Sequence, residues 1–187
     1  MFLRDDFRME PLAITVRQAR TEDAAGVARV YIESWHDTYA DMLPLGMLCA
    51  MTPRGQAARW RAVIRARTES VFVAERERHG IVGMTSFGQA RDNALGFDGE
   101  IYTLYVDPAV YGSGVGSALL RGAFAKMSTK GYGSCVIWAH AKNNARFFYE
   151  KLGGRVVAER TERMMGGPVP ETAFGWRTLA LAETSHA

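Results

Sequence analysis

Between Tyr105 and Leu120 the chain reads Tyr-Val-Asp-Pro-Ala-Val-Tyr-Gly-Ser-Gly-Val-Gly-Ser-Ala-Leu-Leu, with glycines at the alternate positions 112, 114 and 116. Without side chains, successive backbone N–H groups at this spacing can converge on an anion. The apolar run before Pro108 reads as a strand and the run from Gly114 as a helix, whose N-terminal end adds positive potential at the same place. The chemistry this permits is the holding of a diphosphate by Tyr111, Gly112, Ser113, Gly114, Val115, Gly116 and Ser117. The plain alternative is a glycine turn before a helix. A Walker loop needs Lys and then Ser or Thr after its last glycine, and here Gly116 is followed directly by Ser117. A dinucleotide fingerprint needs glycine where Ser117 stands and an acid about 20 positions on, where the chain has Ala139 and His140.

A second group of residues, Asn143-Asn-Ala-Arg-Phe-Phe-Tyr-Glu-Lys-Leu-Gly-Gly154, opens on a residue that favours helix N-caps. Its aromatics Phe147, Phe148 and Tyr149 suit a packed core.

The elements that must position these residues follow from periodicity and punctuation. Ile14–Ala19 alternates as a half-buried strand. Thr21 with Glu22 and Asp23 starts a helix, the Thr21 hydroxyl acting as cap, that runs to about His36 with Val27, Val30, Tyr31 and Trp35 on one face. Asp41–Ala50 is irregular or a short helix, and Thr52-Pro53 opens a helix toward Arg67 whose inner stripe is Ala57, Trp60 and Ile64. Val71–Glu75 and Ile81–Gly88 form a hairpin around Arg76–Gly80, and Gln89–Gly99 is a polar loop. Glu100–Asp107 is a strand, Gly114–Thr129 a helix, Ser134–Ala139 a buried strand and Asn143–Leu152 a helix. Arg155–Met164 and Glu171–Leu179 are strands around the turn Met165–Pro170. This order predicts an α/β (α+β) mixed sheet of about seven strands flanked by about four helices.

The 187 residues, 48% of them apolar, suffice for one core, so residues 14–181 form a single domain between a flexible extension, 1–13, and a flexible tail, 182–187. Net charge is +3, with Lys and Arg scattered among acids, which argues against nucleic acid as partner. The charged start of the chain and the lack of a long apolar run argue against a secretory signal or a membrane span and for the cytoplasm. Cys49 and Cys135 are too few for a disulfide scaffold and show no metal-ligand spacing, so no metal is expected. His36, His79 and His140 have no partner pattern and read as surface or satisfied histidines.

With these elements in place the sequence resembles the GNAT superfamily of N-acetyltransferases. That family's signature is Arg or Gln, two residues, Gly, one residue, then Gly or Ala, between its fourth strand and third helix. Gly114 and Gly116 match, and Tyr111 stands where the family has Arg or Gln. The resemblance runs from Ile14 to about Leu179 and includes Trp35-His-Asp-Thr-Tyr39 and Leu43-Pro44. It implies a centrally splayed sheet whose fourth strand pairs with the pantetheine arm of acetyl-CoA through Leu104, Tyr105 and Val106. It also implies that Asn143 hydrogen-bonds the pantetheine and that the Tyr149 hydroxyl approaches the CoA sulfur.

The implied reaction moves an acetyl group from acetyl-CoA to a primary amine, of a small molecule or a peptide, by direct attack in a ternary complex. A lysine-like amine has a pKa of about 10.4, so a base must take its proton. Glu100 stands at the start of the fourth strand, where several relatives place a base or a water relay; Tyr149 is the acid and the Val106 N–H an oxyanion donor. Acceptor recognition is expected from the first two helices and the loops facing the thioester, including Trp35, Tyr39 and Phe87, with core packing the preferred reading for Trp35. The chain is expected to act as a monomer or homodimer. Two other readings stand beside this one, a non-catalytic acyl-CoA sensor on the same fold and, more distantly, a dinucleotide-binding oxidoreductase.

Overall fold

The computed structural model describes residues 13–39, 51–164 and 167–181. Seven strands, β1 (Ile14–Gln18), β2 (Ser70–Arg76), β3 (Gly80–Gln89), β4 (Gly99–Val106), β5 (Cys135–His140), β6 (Arg155–Met164) and β7 (Gly167–Trp176), form one sheet. Their spatial order is β1-β2-β3-β4-β5-β7-β6. Every neighbouring pair is antiparallel except β4 with β5. Among the described residues four helices accompany the sheet, α1 (Ala24–Tyr39), α2 (Pro53–Ala66), α3 (Val115–Thr129) and α4 (Ala145–Lys151). This is the mixed seven-stranded, four-helix α+β architecture that the element order predicts. The stretch Asp41–Ala50, with Leu43-Pro44 and Cys49, lies outside the described residues, as do 1–12, 165–166 and 182–187.

Helices cover both faces because the strands carry apolar residues on both. On one face Val27, Val30 and Trp60 of α1 and α2 pack on Val71, Val73 and Met84. On the other, Leu120, Phe124 and Met127 of α3 and Tyr149 of α4 pack with Ile101, Ile137, Phe174 and Trp176. Gly83 lets α3 come close to β3: a Cβ there would stand 2.7 Å from Val115 and 2.9 Å from Leu119. That contact sets the first turn of α3 beside the end of β4. No helix among the described residues is long and apolar enough to cross a membrane.

Local readings hold at most boundaries and fail at two. Thr52 caps α2 as expected, accepting from the Gly55 N–H at 3.2 Å, with Pro53 at the first helical position. Thr21 does not cap α1. Its hydroxyl goes to Glu22, and Asp23, closing a 3-10 turn over Thr21–Asp23, accepts the Arg20 N–H at 2.7 Å. The final strand begins at Gly167, four residues before Glu171, and ends at Trp176. Pro168 and Pro170 are tolerated because β5 pairs only with Glu171–Trp176, so their missing N–H groups fall where β7 has a neighbour on one side alone.

Candidate active site

The site begins with a change of phase in β4. Ser86 faces Thr103 and Phe87 faces Ile101, so Tyr102 is an extra residue, a bulge. Past it β4 loses its other neighbour, since β5 pairs with Gly99, Glu100 and Ile101 only. The expected splay is therefore present, and its open edge runs along Tyr102–Val106. The Asp107 N–H bonds the Val82 carbonyl at 2.9 Å on the β3 side. Strand alternation then turns the peptide groups of Leu104 and Val106 away from β3, into the opening. Leu104 packs toward α3, and Tyr105 toward α1 and α2, so the opening has a different wall on each side.

The glycine segment closes one end of this opening. Pro108–Val110 forms a 3-10 turn with the Asp107 carboxylate accepting the Ala109 N–H at 3.0 Å. The Tyr111 and Ser113 N–H groups fold back on Pro108 and Val110 carbonyls at 3.3 Å each. Gly114 takes a left-handed conformation, φ 86°, and caps α3. The next three N–H groups, of Val115, Gly116 and Ser117, have no carbonyl one turn back to accept them and point out of the helix end. The N–H groups free to meet an anion are thus those of the first turn of α3. Tyr111 turns its side chain elsewhere: it is 52% exposed, and its hydroxyl donates to the Asp37 carboxylate of α1 at 3.1 Å.

Asn143 and Tyr149 bound the other side of the opening. The Asn143 side-chain oxygen accepts the Ala145 N–H at 2.8 Å, starting α4. Its amide hydrogens are left for another acceptor, so the capping and ligand-binding readings are compatible. Tyr149 is 4% exposed, ringed by Phe148, Phe174 and Trp176. Burial, and then the nearby Tyr39, push its phenol well above the usual tyrosine range. Gly116 and Phe148 lock the two halves together, since a Cβ on Gly116 would lie 3.1 Å from the Phe148 ring.

Glu100 lies on the paired part of β4, beside the last residue that touches β5, and is 2% exposed. Both its carboxylate oxygens are engaged by Arg91. One accepts the Arg91 backbone N–H at 2.9 Å, and the other takes the guanidinium. Of the residues expected to face the acceptor, Phe87 is fully buried in the core under α3. Tyr39 and Trp35 stack on each other at 4.7 Å, and Tyr39 lies edge-on to His140 at 6.3 Å. Burial raises the Tyr39 phenol, against a hydrogen bond to Tyr105. His140 accepts the Lys142 N–H at its Nδ1, which assigns its proton to Nε2. Burial, then Lys142, lowers its pKa.

Sequence reasoning missed the clasp between α1 and the end of β4. The Ser34 hydroxyl donates to the Val106 carbonyl at 2.6 Å, and Arg29 pairs with Asp107 at 2.8 Å. Ser34 is 1% exposed and falls on the apolar face of α1, four residues after Val30. A polar residue inside that stripe was the available signal. Arg91 carried none, since it lies in a polar loop nine residues from Glu100. Cys135 is a buried free thiol, and no group of three or more His, Cys, Asp or Glu among the described residues is placed to hold a metal ion.

Residues 67–153 match the family described as the acetyltransferase (GNAT) domain. An uncharacterized N-acetyltransferase of Bacillus subtilis (strain 168), YuaI, is 30% identical over 171 residues, covering 91% of this chain and 97% of the relative. Among solved structures, an N-acetyltransferase from Staphylococcus aureus Mu50 superposes with a TM-score of 0.68 at 22% identity, over 89% of this chain and 99% of that one. The structure of yncA from Salmonella typhimurium with its cofactor acetyl-CoA gives 0.65 at 24% identity, over 94% and 96%. That of PaiA N-acetyltransferase from Thermoplasma acidophilum in complex with coenzyme A gives 0.64 at 22%, over 86% and 98%.

Proposed function

The chain belongs to the GNAT family of acetyltransferases, and from that premise we propose that it moves an acetyl group from acetyl-CoA to a primary amine by direct attack in a ternary complex. The observation that carries this reading is the juxtaposition of the open edge of β4 with the unpaired first turn of α3. A diphosphate on Val115, Gly116 and Ser117 would direct the pantetheine arm along Leu104, Tyr105 and Val106, where Asn143 offers its amide. Two structural neighbours hold coenzyme A or acetyl-CoA, which supports the same cosubstrate here.

In the reaction the amine nitrogen attacks the thioester carbon, and the carbonyl oxygen becomes an oxyanion. The Val106 N–H, facing the opening, is the donor assigned to it. Collapse breaks the C–S bond and leaves a thiolate whose reference pKa is about 8.5, by analogy with cysteine. Tyr149 keeps its proton at neutral pH because burial raises its phenol. Full transfer of that proton to a thiolate is uphill, so Tyr149 acts by donating a hydrogen bond to sulfur as charge develops. Glu100 is the candidate base, through water, and its engagement by Arg91 makes release of that ion pair part of the proton path.

The same ion pair favours a second reading, an acyl-CoA-binding sensor without turnover. One experiment separates them. Acetyl-CoA should raise the melting temperature by mass action, and an amine library should release CoA thiol. Stabilisation without CoA release from any amine would establish the sensor; neither effect would remove acetyl-CoA from the assignment.

A further inference from the structure

We propose that Arg59, held over the rings of Tyr31 and Trp60, is the subsite for a carboxylate on the acceptor, so that the substrate class is a small amine carrying a carboxylate. This rests on the acetyl-transfer reading above. The Arg59 guanidinium lies 5.3 Å from the Trp60 ring centroid and 5.8 Å from that of Tyr31. Among the described residues it makes one hydrogen bond, a long one of 3.5 Å to Gln56 of its own helix. No carboxylate pairs with it among the described residues, and α2 itself carries Arg54, Arg59, Arg61 and Arg65 and no acid.

Ring contacts connect this cation to the acetyl-transfer site. Tyr31 meets Trp60 edge-on at 5.7 Å and Tyr105 at 5.1 Å. Tyr105 belongs to the open stretch of β4 and hydrogen-bonds Tyr39, whose phenol is near enough to Tyr149 to influence its proton. An acceptor lying along Tyr31 and Tyr105 would therefore reach the thioester with its amine while its other end stays near Arg59. A guanidinium backed by aromatic faces presents its N–H edge outward, and that edge matches the two oxygens of a carboxylate. The Trp60 indole N–H is a further donor without an acceptor; it is buried and unpaired among the described residues. With no counter-ion among the described residues, the Arg59 charge favours a carboxylate over a neutral carbonyl and repels a cationic end group.

The test compares ω-amino acids, whose chains are long enough to leave the carboxylate at Arg59 while the amine reaches past Tyr31 and Tyr105, with their carboxamides as acceptors at saturating acetyl-CoA, in the wild type, Arg59→Gln and Arg59→Lys. The wild type should prefer acid over amide at least tenfold in kcat/KM. Arg59→Gln should abolish the preference by raising KM for the acid about tenfold, with KM for the amide and for acetyl-CoA changed less than twofold. Arg59→Lys, which keeps the charge and loses the fork, should fall between. Equal use of acid and amide by the wild type, or an equal loss for both in Arg59→Gln, overturns the proposal. Binding of the N-acetyl amino acid and its carboxamide, followed by NMR in the presence of CoA, reads the same preference without turnover. Selective binding of the acid with no CoA release defeats the transferase reading and sustains the anion subsite; absence of selectivity defeats the subsite alone.

Discussion

The Tyr111 hydroxyl donates to the Asp37 carboxylate at 3.1 Å, tying the loop before α3 to the last turn of α1. Burial, and then the Asp37 charge, raise the Tyr111 phenol to about 12, so the donor stays protonated across the physiological range. The family places Arg or Gln at this position, and here the side chain serves the α1 clasp, leaving the backbone N–H groups of the first turn of α3 for the proposed diphosphate. Tyr111→Phe should therefore raise the acetyl-CoA dissociation constant by less than about threefold, the effect of one exposed hydrogen bond of roughly 0.5 kcal/mol. Isothermal titration checks this, and a loss of a hundredfold would mean that the phenol itself binds the cosubstrate.

The two signature glycines should respond differently to substitution. A Cβ on Gly114 meets no atom within 4 Å, but φ 86° strains any L-residue. Gly114→Ala should cost about 1 to 2 kcal/mol of stability and leave the first turn of α3 intact. Gly116 has ordinary backbone geometry and a neighbour, Phe148, so Gly116→Val should displace α4 as well as obstruct the diphosphate. Thermal melts and CoA titrations of both variants should show a larger loss of affinity for Gly116→Val. Equal affinities in the two would contradict the packing account.

Tyr149→Phe should reduce turnover about 10²-fold while acetyl-CoA affinity changes little, because the hydroxyl is needed as sulfur gains charge and not to hold the ground state. Since burial raises the phenol, the wild-type rate should show no alkaline decline from this group below about pH 10. A pH profile of kcat for wild type and variant provides the check. Near-normal turnover in a destabilised Tyr149→Phe protein would assign the ring to packing alone.

For Glu100 the readouts are activity in one variant and stability in another. If Glu100 takes the proton, Glu100→Gln should lower kcat/KM about 10²-fold with the fold retained. Arg91→Gln strands a buried carboxylate on one backbone donor and should cost about 1 to 3 kcal/mol. Full activity in Glu100→Gln would transfer the base role to solvent or another group.

Asp23 should make stability depend on acid. Its carboxyl is held below the usual aspartate range, first by the Arg17 hydrogen bond and then, against burial, by the Arg20 N–H. A lowered folded-state pKa stabilises the fold above the unfolded value of about 3.9, and the contribution disappears as pH falls through the folded value. Asp23→Asn should thus melt a few degrees lower at pH 7, and the gap from wild type should close only on acidification below the usual aspartate range, as the lowered Asp23 carboxyl takes up its proton.

The sequence by itself determined the element order, the glycine turn and the cap at Thr52, because each rests on local chemistry: apolar period, backbone freedom, one side-chain oxygen three residues from an N–H. Through the family resemblance it also singled out Asn143 and Tyr149 for the roles proposed above. What local pattern leaves open is where a strand loses its neighbour. The bulge at Tyr102 depends on pairing with β3, and the divergence of β5 after Ile101 on pairing with a strand that follows a whole intervening helix, and together they make Leu104 and Val106 available to a ligand. Folding likewise decided that Tyr111 serves Asp37, that Arg91 occupies Glu100 and that Phe87 belongs to the core. A side chain's type limits the bonds it can make, but only the folded chain brings up the partner that makes one of them.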